Sequence, residues 1–283
     1  MKTILIPTDF SGNAQNALEY SIELAKREKV KLILVHAYHI TYIAPDVPVQ
    51  YLTEELVFAN EAAKKQIEKL TEKVESNGIR CESVIKQDNA VDLILEVAQK
   101  RKPDLIVMGT KGASGIKEVI IGSNTAKVIE KAKCPVIAVP EKSSFKSIKQ
   151  IVYATNYLIS DIDALKNLVD IAELFNAEIT LLHVSDESLS HETEEDHILK
   201  FRSRIKSRIG YDKLRFKLVY GKDFEHVLED YIKHESPDLL AMSTHHRTVY
   251  DKLFGKSFTK KMAYHTNIPL LAFHYKQDPV IFI

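Results

Sequence analysis

Cysteine is nearly absent: Cys81 and Cys134 are the only two in 283 residues. Two thiols cannot build a disulfide framework or a four-sulfur metal site. Each is flanked by strand-like residues, so both read as buried free thiols of a reducing compartment. Net charge is absent too, with 39 Lys and Arg against 39 Asp and Glu. That balance argues against non-specific binding of nucleic acid or acidic lipid as the main activity, while leaving room for a local basic patch. No apolar run approaches the roughly 18 residues of a membrane span. The few apolar residues at the start, Ile4 to Pro7, are too few for the core of a signal peptide. These absences predict a cytoplasmic protein with no nucleic-acid or membrane partner. What is present, 45% apolar and 28% charged residues, is ordinary for a globular chain and excludes a disordered or fibrous one. At ~150 residues per domain, the length suggests two domains.

The chain repeats itself. Ile4-Leu5-Ile6-Pro7-Thr8-Asp9-Phe10 returns as Ile151-Val152-Tyr153-Ala154-Thr155-Asn156-Tyr157, and Leu34-Val35-His36 returns as Leu181-Leu182-His183. Pro103-Asp104-Leu105 to Thr110 returns as Pro237-Asp238-Leu239 to Thr244, and Cys134-Pro135-Val136 as Ile268-Pro269-Leu270. Four matches in one order indicate a tandem duplication, with a Lys- and Ser-rich joint near Glu141 to Lys149. We expect domains at residues 1–143 and 147–275, followed by an apolar tail at 276–283.

Each half alternates strand and helix patterns. In the first, short apolar runs at 3–7, 31–37, 80–86, 104–108 and 135–139 read as buried strands. Between the first two, Ala14, Ala17, Leu18, Ser21, Leu24 and Ala25 recur at helical spacing behind Ser11, a plausible N-cap. Ala164, Leu165, Leu168, Val169 and Ala172 repeat the pattern. Such alternation demands right-handed crossovers. The expected fold class is therefore α/β: two tandem doubly wound domains, each a five-stranded parallel sheet with helices on both faces. Ligands of such sheets bind at the carboxyl ends of the strands, where strand order reverses. His39 to Tyr51, with Pro45 and Pro48, reads as a long loop beside such an end, a lid or a contact surface.

The strongest chemical signal follows the fourth strand: Gly109-Thr110-Lys111-Gly112, nine residues, then Gly122-Ser123-Asn124-Thr125. Gly109 and Gly112 bracket a turn that a ligand can approach closely. Gly122, Ser123 and Asn124 open a helix whose first N–H groups lack internal partners, and those donors with the helix dipole suit a phosphate. The hydroxyls of Ser123 and Thr125 add further donors.

With its Pro7-Thr8-Asp9-Phe10-Ser11 opening, this Gly-x2-Gly-x9-Gly-Ser array resembles the universal stress proteins of the ATP-binding class. The resemblance covers essentially the whole chain, once per half. It implies an adenine-nucleotide alpha-hydrolase-like fold and a nucleotide lying across the ends of the first and fourth strands. Asp9 and Ala37 would contact the adenine, and Pro7, Thr8 and Met108 would wall the pocket. Gly109 would lie near the ribose, while Gly112, Gly122, Ser123, Asn124 and Thr125 would hold the phosphates. The ligand implied is ATP, with Mg²⁺ on its phosphates, in a stress-response protein. Asp9 has a second reading as a turn or helix-start residue.

The second half departs from the pattern. It reads Ser243-Thr244-His245-His246, nine residues, then Lys256-Ser257-Phe258, with no glycine of the array left and Asn156 in place of Asp9. Side chains at His246 and Lys256 would fill the approach of phosphate to the backbone, so this half is expected not to bind nucleotide. Gly255-Lys256-Ser257 is no P-loop, because the required glycine five residues earlier is Tyr250. The His245-His246 and His191/His197 pairs lack the spacing that sets two metal ligands on one helix face. No nucleophile has an evident base partner, and Glu118, the nearest carboxylate to the array, reads as a solvated loop charge. A nucleotide-dependent binding role with at most slow hydrolysis is expected, the rivals being a genuine ATPase or phosphotransferase and a nucleotide-free scaffold. The edge strands Val136–Val139 and Leu270–Phe273 are expected to be covered. The resemblance implies that they meet, as a pseudo-dimer within one chain. Pro279 to Ile283 would pack on another surface, including that of a second chain in a homodimer.

Overall fold

The computed structural model describes residues 1–38, 49–110, 122–185, 191–243 and 268–273. They divide into two compact units, parted between Glu141 and Lys142. In the first, β1 (Thr3–Pro7), α1 (Gly12–Ala25), β2 (Lys31–Tyr38), α2 (Val49–Glu75) and β3 (Cys81–Gln87) run outward from the centre. The chain then returns through α3 (Ala90–Arg101) to β4 (Leu105–Gly109), α4 (Ser123–Lys131) and β5 (Val136–Val139). The strand order is β3-β2-β1-β4-β5, and every pair within it is parallel. Each strand lies within a residue or two of its apolar run.

The second unit repeats the plan with β6 (Gln150–Ala154), α5 (Ile159–Phe175), β7 (Glu178–Ser185), α6 (His191–Arg208) and β8 (Leu214–Tyr220). It continues with α7 (Phe224–Glu235), β9 (Leu239–Ser243) and β10 (Leu270–Phe273). Its order is β10-β9-β6-β7-β8, again parallel. The chain is thus two tandem doubly wound α/β domains, each a five-stranded parallel sheet with a switch of direction at its centre.

Burial explains the apolar runs. Ile4, Leu5 and Ile6 are wholly inaccessible, as a central parallel strand covered on both faces requires. The small face of α1 lies on the sheet, with Ala17 and Leu18 buried, and Ser11 caps the helix by accepting from the Ala14 N–H at 3.3 Å. The repeated Pro-Asp pair has a structural reason. Asp104 Oδ2 accepts from the N–H groups of Lys2 (2.6 Å) and Thr3 (2.8 Å), pinning the start of β1. Asp238 Oδ2 does the same for Lys149 (2.7 Å) and Gln150 (3.0 Å) before β6.

Two expectations change. Val49 to Tyr51 form the first turn of α2 rather than loop, because the pattern from Val49 onward is helical once Pro48 is passed. His39 to Pro48 lie outside the described residues, as do Lys111 to Ile121, Thr244 to Asn267 and the tail. The two cysteines are free but only partly buried. Desolvation still pushes the Cys81 thiol up to about 11 and Cys134 to about 12, so both are poor nucleophiles at neutral pH. Among the described residues, no helix is long and apolar enough to cross a membrane.

Candidate functional site

In the first domain the chain reverses direction between β1 and β4, and a cleft opens above their carboxyl ends. Together with the open solvent at its mouth, it spans about 720 Å³. Pro7, Thr8 and Asp9 line it from the end of β1, and Val35 and Ala37 from β2. Met108 and Gly109 come from β4, and Gly122 to Thr125 from the start of α4. All of these but Val35 are expected from the sequence, ten of the eleven residues it singles out. The eleventh, Gly112, lies outside the described residues.

The β1–α1 corner is held by a local network. Thr8 N–H donates to the Val35 carbonyl at 2.9 Å, extending the β1–β2 ladder. Its hydroxyl accepts from Phe10 N–H at 3.1 Å, which steadies Phe10 at φ 63°, an uncommon value for a residue with a side chain. The Phe10 ring lies 4.3 Å from that of His36, and His36 Nδ1 sits 2.8 Å from the Thr8 carbonyl. Since a carbonyl only accepts, Nδ1 carries the proton. Burial holds the His36 pKa below its ordinary value, against the opposing pull of the Thr8 bond and the Asp9 charge. Asp9 is exposed at the rim, and its Oδ1 accepts from Ser11 N–H (3.1 Å) and Ser11 Oγ (2.5 Å). Asp9 therefore does two things: it lines the cleft and it shapes the turn into α1.

Across the cleft, Gly122 is the N-cap of α4 and no side chain caps that helix. Its own N–H donates to the Thr110 carbonyl, so the donors left for a ligand begin at Ser123 and Asn124. Thr125 differs from its expected role: its hydroxyl is buried and donates to the Gly109 carbonyl at 2.8 Å, strapping α4 to the end of β4. Gly109 likewise has a reason the motif hid. A Cβ there would lie 2.9 Å from both the carbonyl carbon and oxygen of Asn13, so the glycine lets α1 close on β4.

Four lining residues were not singled out: Ala14, Val35, Ala90 and Ile94. Ala90 and Ile94 stand one helical turn apart in α3, which Asn89 caps by accepting from Val91 N–H at 2.9 Å. The i, i+4 spacing at a strand-to-helix junction was the available signal. Together with Met108 they add apolar side chains to the lining of the cleft.

The corner recurs in the second domain. Tyr157 has φ 61°, its N–H donates to Thr155 Oγ1 at 3.0 Å, its ring lies 4.3 Å from His183, and His183 Nδ1 sits 2.8 Å from the Thr155 carbonyl. The residue equivalent to Ala14, however, is Asp161, buried to 2% exposure. Its carboxylate accepts from Tyr153 Oη (2.7 Å), Thr155 Oγ1 (2.7 Å), Asn156 N–H (3.2 Å) and Leu158 N–H (3.1 Å). Burial pushes its pKa up, while those donors pull it down. Ser243 takes the place of Gly109, with its hydroxyl buried and without a partner among the described residues. His246, Lys256 and Ser257 lie outside those residues.

Comparison with known proteins agrees with this plan. A universal stress protein of Thermus aquaticus is 35% identical over 144 residues, spanning 49% of this chain and 98% of its own. One of Methanocaldococcus jannaschii is 31% identical over 144 residues, spanning 49% of this chain and 81% of its own. Among solved structures, a universal stress protein from Archaeoglobus fulgidus covers 96% of this chain and 98% of its own with a TM-score of 0.73. At 17% identity that likeness is one of fold. The model of the universal stress protein family matches twice, over residues 1–140 and 147–274. The chain therefore belongs to the universal stress protein family and carries its domain in tandem.

Proposed function

We propose that the first domain binds one adenine nucleotide, ATP with Mg²⁺ on its phosphates, and that the second domain binds none. The observation that carries this reading is the cleft at the β1/β4 switch point. Its lining combines the apolar side chains of Ala37, Ile94 and Met108 with the N-terminus of α4, which no side chain caps. An apolar slot beside fixed N–H donors suits a base joined to phosphate. Among the described residues no group of three His, Cys, Asp or Glu can hold a metal. Mg²⁺ would therefore arrive on the phosphates, where it commonly stays.

The chain's own residues favour binding over turnover. Asp9, the carboxylate at the cleft, spends Oδ1 on the turn into α1, and His36, held by the Thr8 carbonyl and against the Phe10 ring, is not among the described residues that line the cleft. The role is regulatory: nucleotide occupancy changes the shape or the partners of the first domain. Calorimetric titration with MgATP tests this. Gly122→Val, which fills the approach to α4, should abolish binding, and Ser123→Ala should weaken it by about 1 kcal/mol. Unchanged binding in both variants would place the nucleotide elsewhere, and turnover above about 1 per second would make the protein an enzyme.

A further inference from the structure

We propose that the basic end of the second domain, the C-terminal half of α6 with strand β8, is a docking surface for single-stranded nucleic acid. Residues 199–217 carry eight Lys and Arg against one carboxylate, Asp212, in a chain whose net charge is zero. The duplicated half supplies the internal control. The strand-aligned segment, residues 66–84, carries three cations and four carboxylates. The same helix and edge strand thus fold without excess charge.

Two structural reasons for such cations fall short. A helix dipole favours positive charge only near the last turn. Lys206 and Arg208 fit that account, but Lys200, Arg202 and Arg204 lie upstream of it and are exposed. Edge strands are often guarded by charge, yet β3 is guarded by both signs, through Glu82 and Lys86, whereas the charges of β8 itself, Arg215 and Lys217, are both positive. None of the five α6 cations is in an ion pair among the described residues. Arg215 is paired, with Glu178 at 2.7 Å.

The shape of the array selects the partner. Phe216 faces α6, because the Arg202 guanidinium lies 4.5 Å above its ring. Val219 packs on the opposite side, against the cluster of Leu228 and Ile232 on α7, and strand alternation puts Arg215 and Lys217 on that side too. With Arg215 neutralised by Glu178, Lys217 carries the positive charge of α6 on past the β8 edge. A flat headgroup plane meets one face at a time, whereas a flexible phosphodiester chain follows an edge. The Arg202–Phe216 stack and Tyr220, 40% exposed on the strand's α6 face, add flat surfaces on which bases stack.

Fluorescence anisotropy of a labelled oligouridylate with the full chain tests this, in rising salt. Affinity should fall log-linearly with salt. The exposed triple variant Arg204→Glu, Lys206→Glu, Arg208→Glu should bind about tenfold more weakly and flatten the salt slope by about two units, at ~0.7 per lost phosphate contact. The matched glutamines serve if the reversals disturb folding. Arg202→Lys should weaken binding with the slope kept. Reversing Lys69, Lys73 and Arg80 to Glu in the first domain should leave affinity within about twofold, since those cations are already balanced. No binding at low salt, equal loss from both sets of reversals, or binding to phosphatidylserine vesicles instead of the oligonucleotide would overturn the proposal. None of these readouts involves nucleotide binding in the first domain.

Discussion

At the scale of single residues, the two domains differ most where they are otherwise most alike. Ala14 lines the first cleft, and Asp161 at the equivalent place gathers four donors of its own corner. A buried carboxyl group thus already occupies the second corner. Because burial raises the Asp161 carboxyl above 3.8, the folded domain keeps a proton that the unfolded chain releases. Its contribution to stability is full below the unfolded value and declines as pH rises through the higher folded value. Asp161→Asn, uncharged throughout, should therefore be penalised most near pH 4, and its deficit should narrow towards neutrality. Urea melts of both proteins across that range measure it, and a deficit that widens instead would contradict the assignment. Gly109→Ala is a second test at this scale. Its Cβ would meet backbone, which cannot swing aside, so a loss of about 1–3 kcal/mol is expected in denaturant unfolding. If Gly109 served only ligand access, stability would be unchanged.

At the scale of elements, the Asp104 and Asp238 clamps are the clearest case of one solution used twice. Each accepts two backbone N–H bonds at the start of a central strand. Replacing either by Ala should cost about 1–2 kcal/mol, less than two fully buried charged bonds because the sites are exposed. The two losses should be similar, measured as separate shifts in denaturation midpoint. The elements themselves were legible, since a strand buried on both faces must be apolar and a helix on a sheet must show its spacing. The cleft was legible in outline for the same reason: strand ends and a glycine array at a switch point converge whatever the loops do. What stayed hidden were pairings made only by packing. Nothing local in Gly109-Thr110 announces Asn13, nothing in Thr125 announces the Gly109 carbonyl, and Asp161 looks like an ordinary first-turn acid until its neighbours close over it. Val49 to Tyr51 were misread because two prolines just upstream masked the helical pattern that begins after them.

At the scale of the whole molecule, the proposed nucleotide site and the asymmetry of the copies together predict a stoichiometry. Titration with ATP should saturate near one equivalent per chain, and Gly112→Val should remove it. The second copy has Ser243 for Gly109 and Asp161 for Ala14, and a charge on a flexible stem such as Lys256 does not replace fixed N–H donors that need no ordering. Two equivalents of similar affinity, or binding lost on Lys256→Ala, would reassign the working copy.

The Pro-Asp clamps have a bearing on how such a chain can change over generations. They sit at the amino ends of the central strands, whereas everything that touches the cleft sits at the carboxyl ends. Mutations that erode a pocket therefore leave the anchoring of its sheet intact, and a gene that has doubled this domain can let one copy drift without forfeiting a foldable product. A lineage carrying the doubled gene has, in its second copy, a spare body on which a new surface can be tried while the first keeps its cleft.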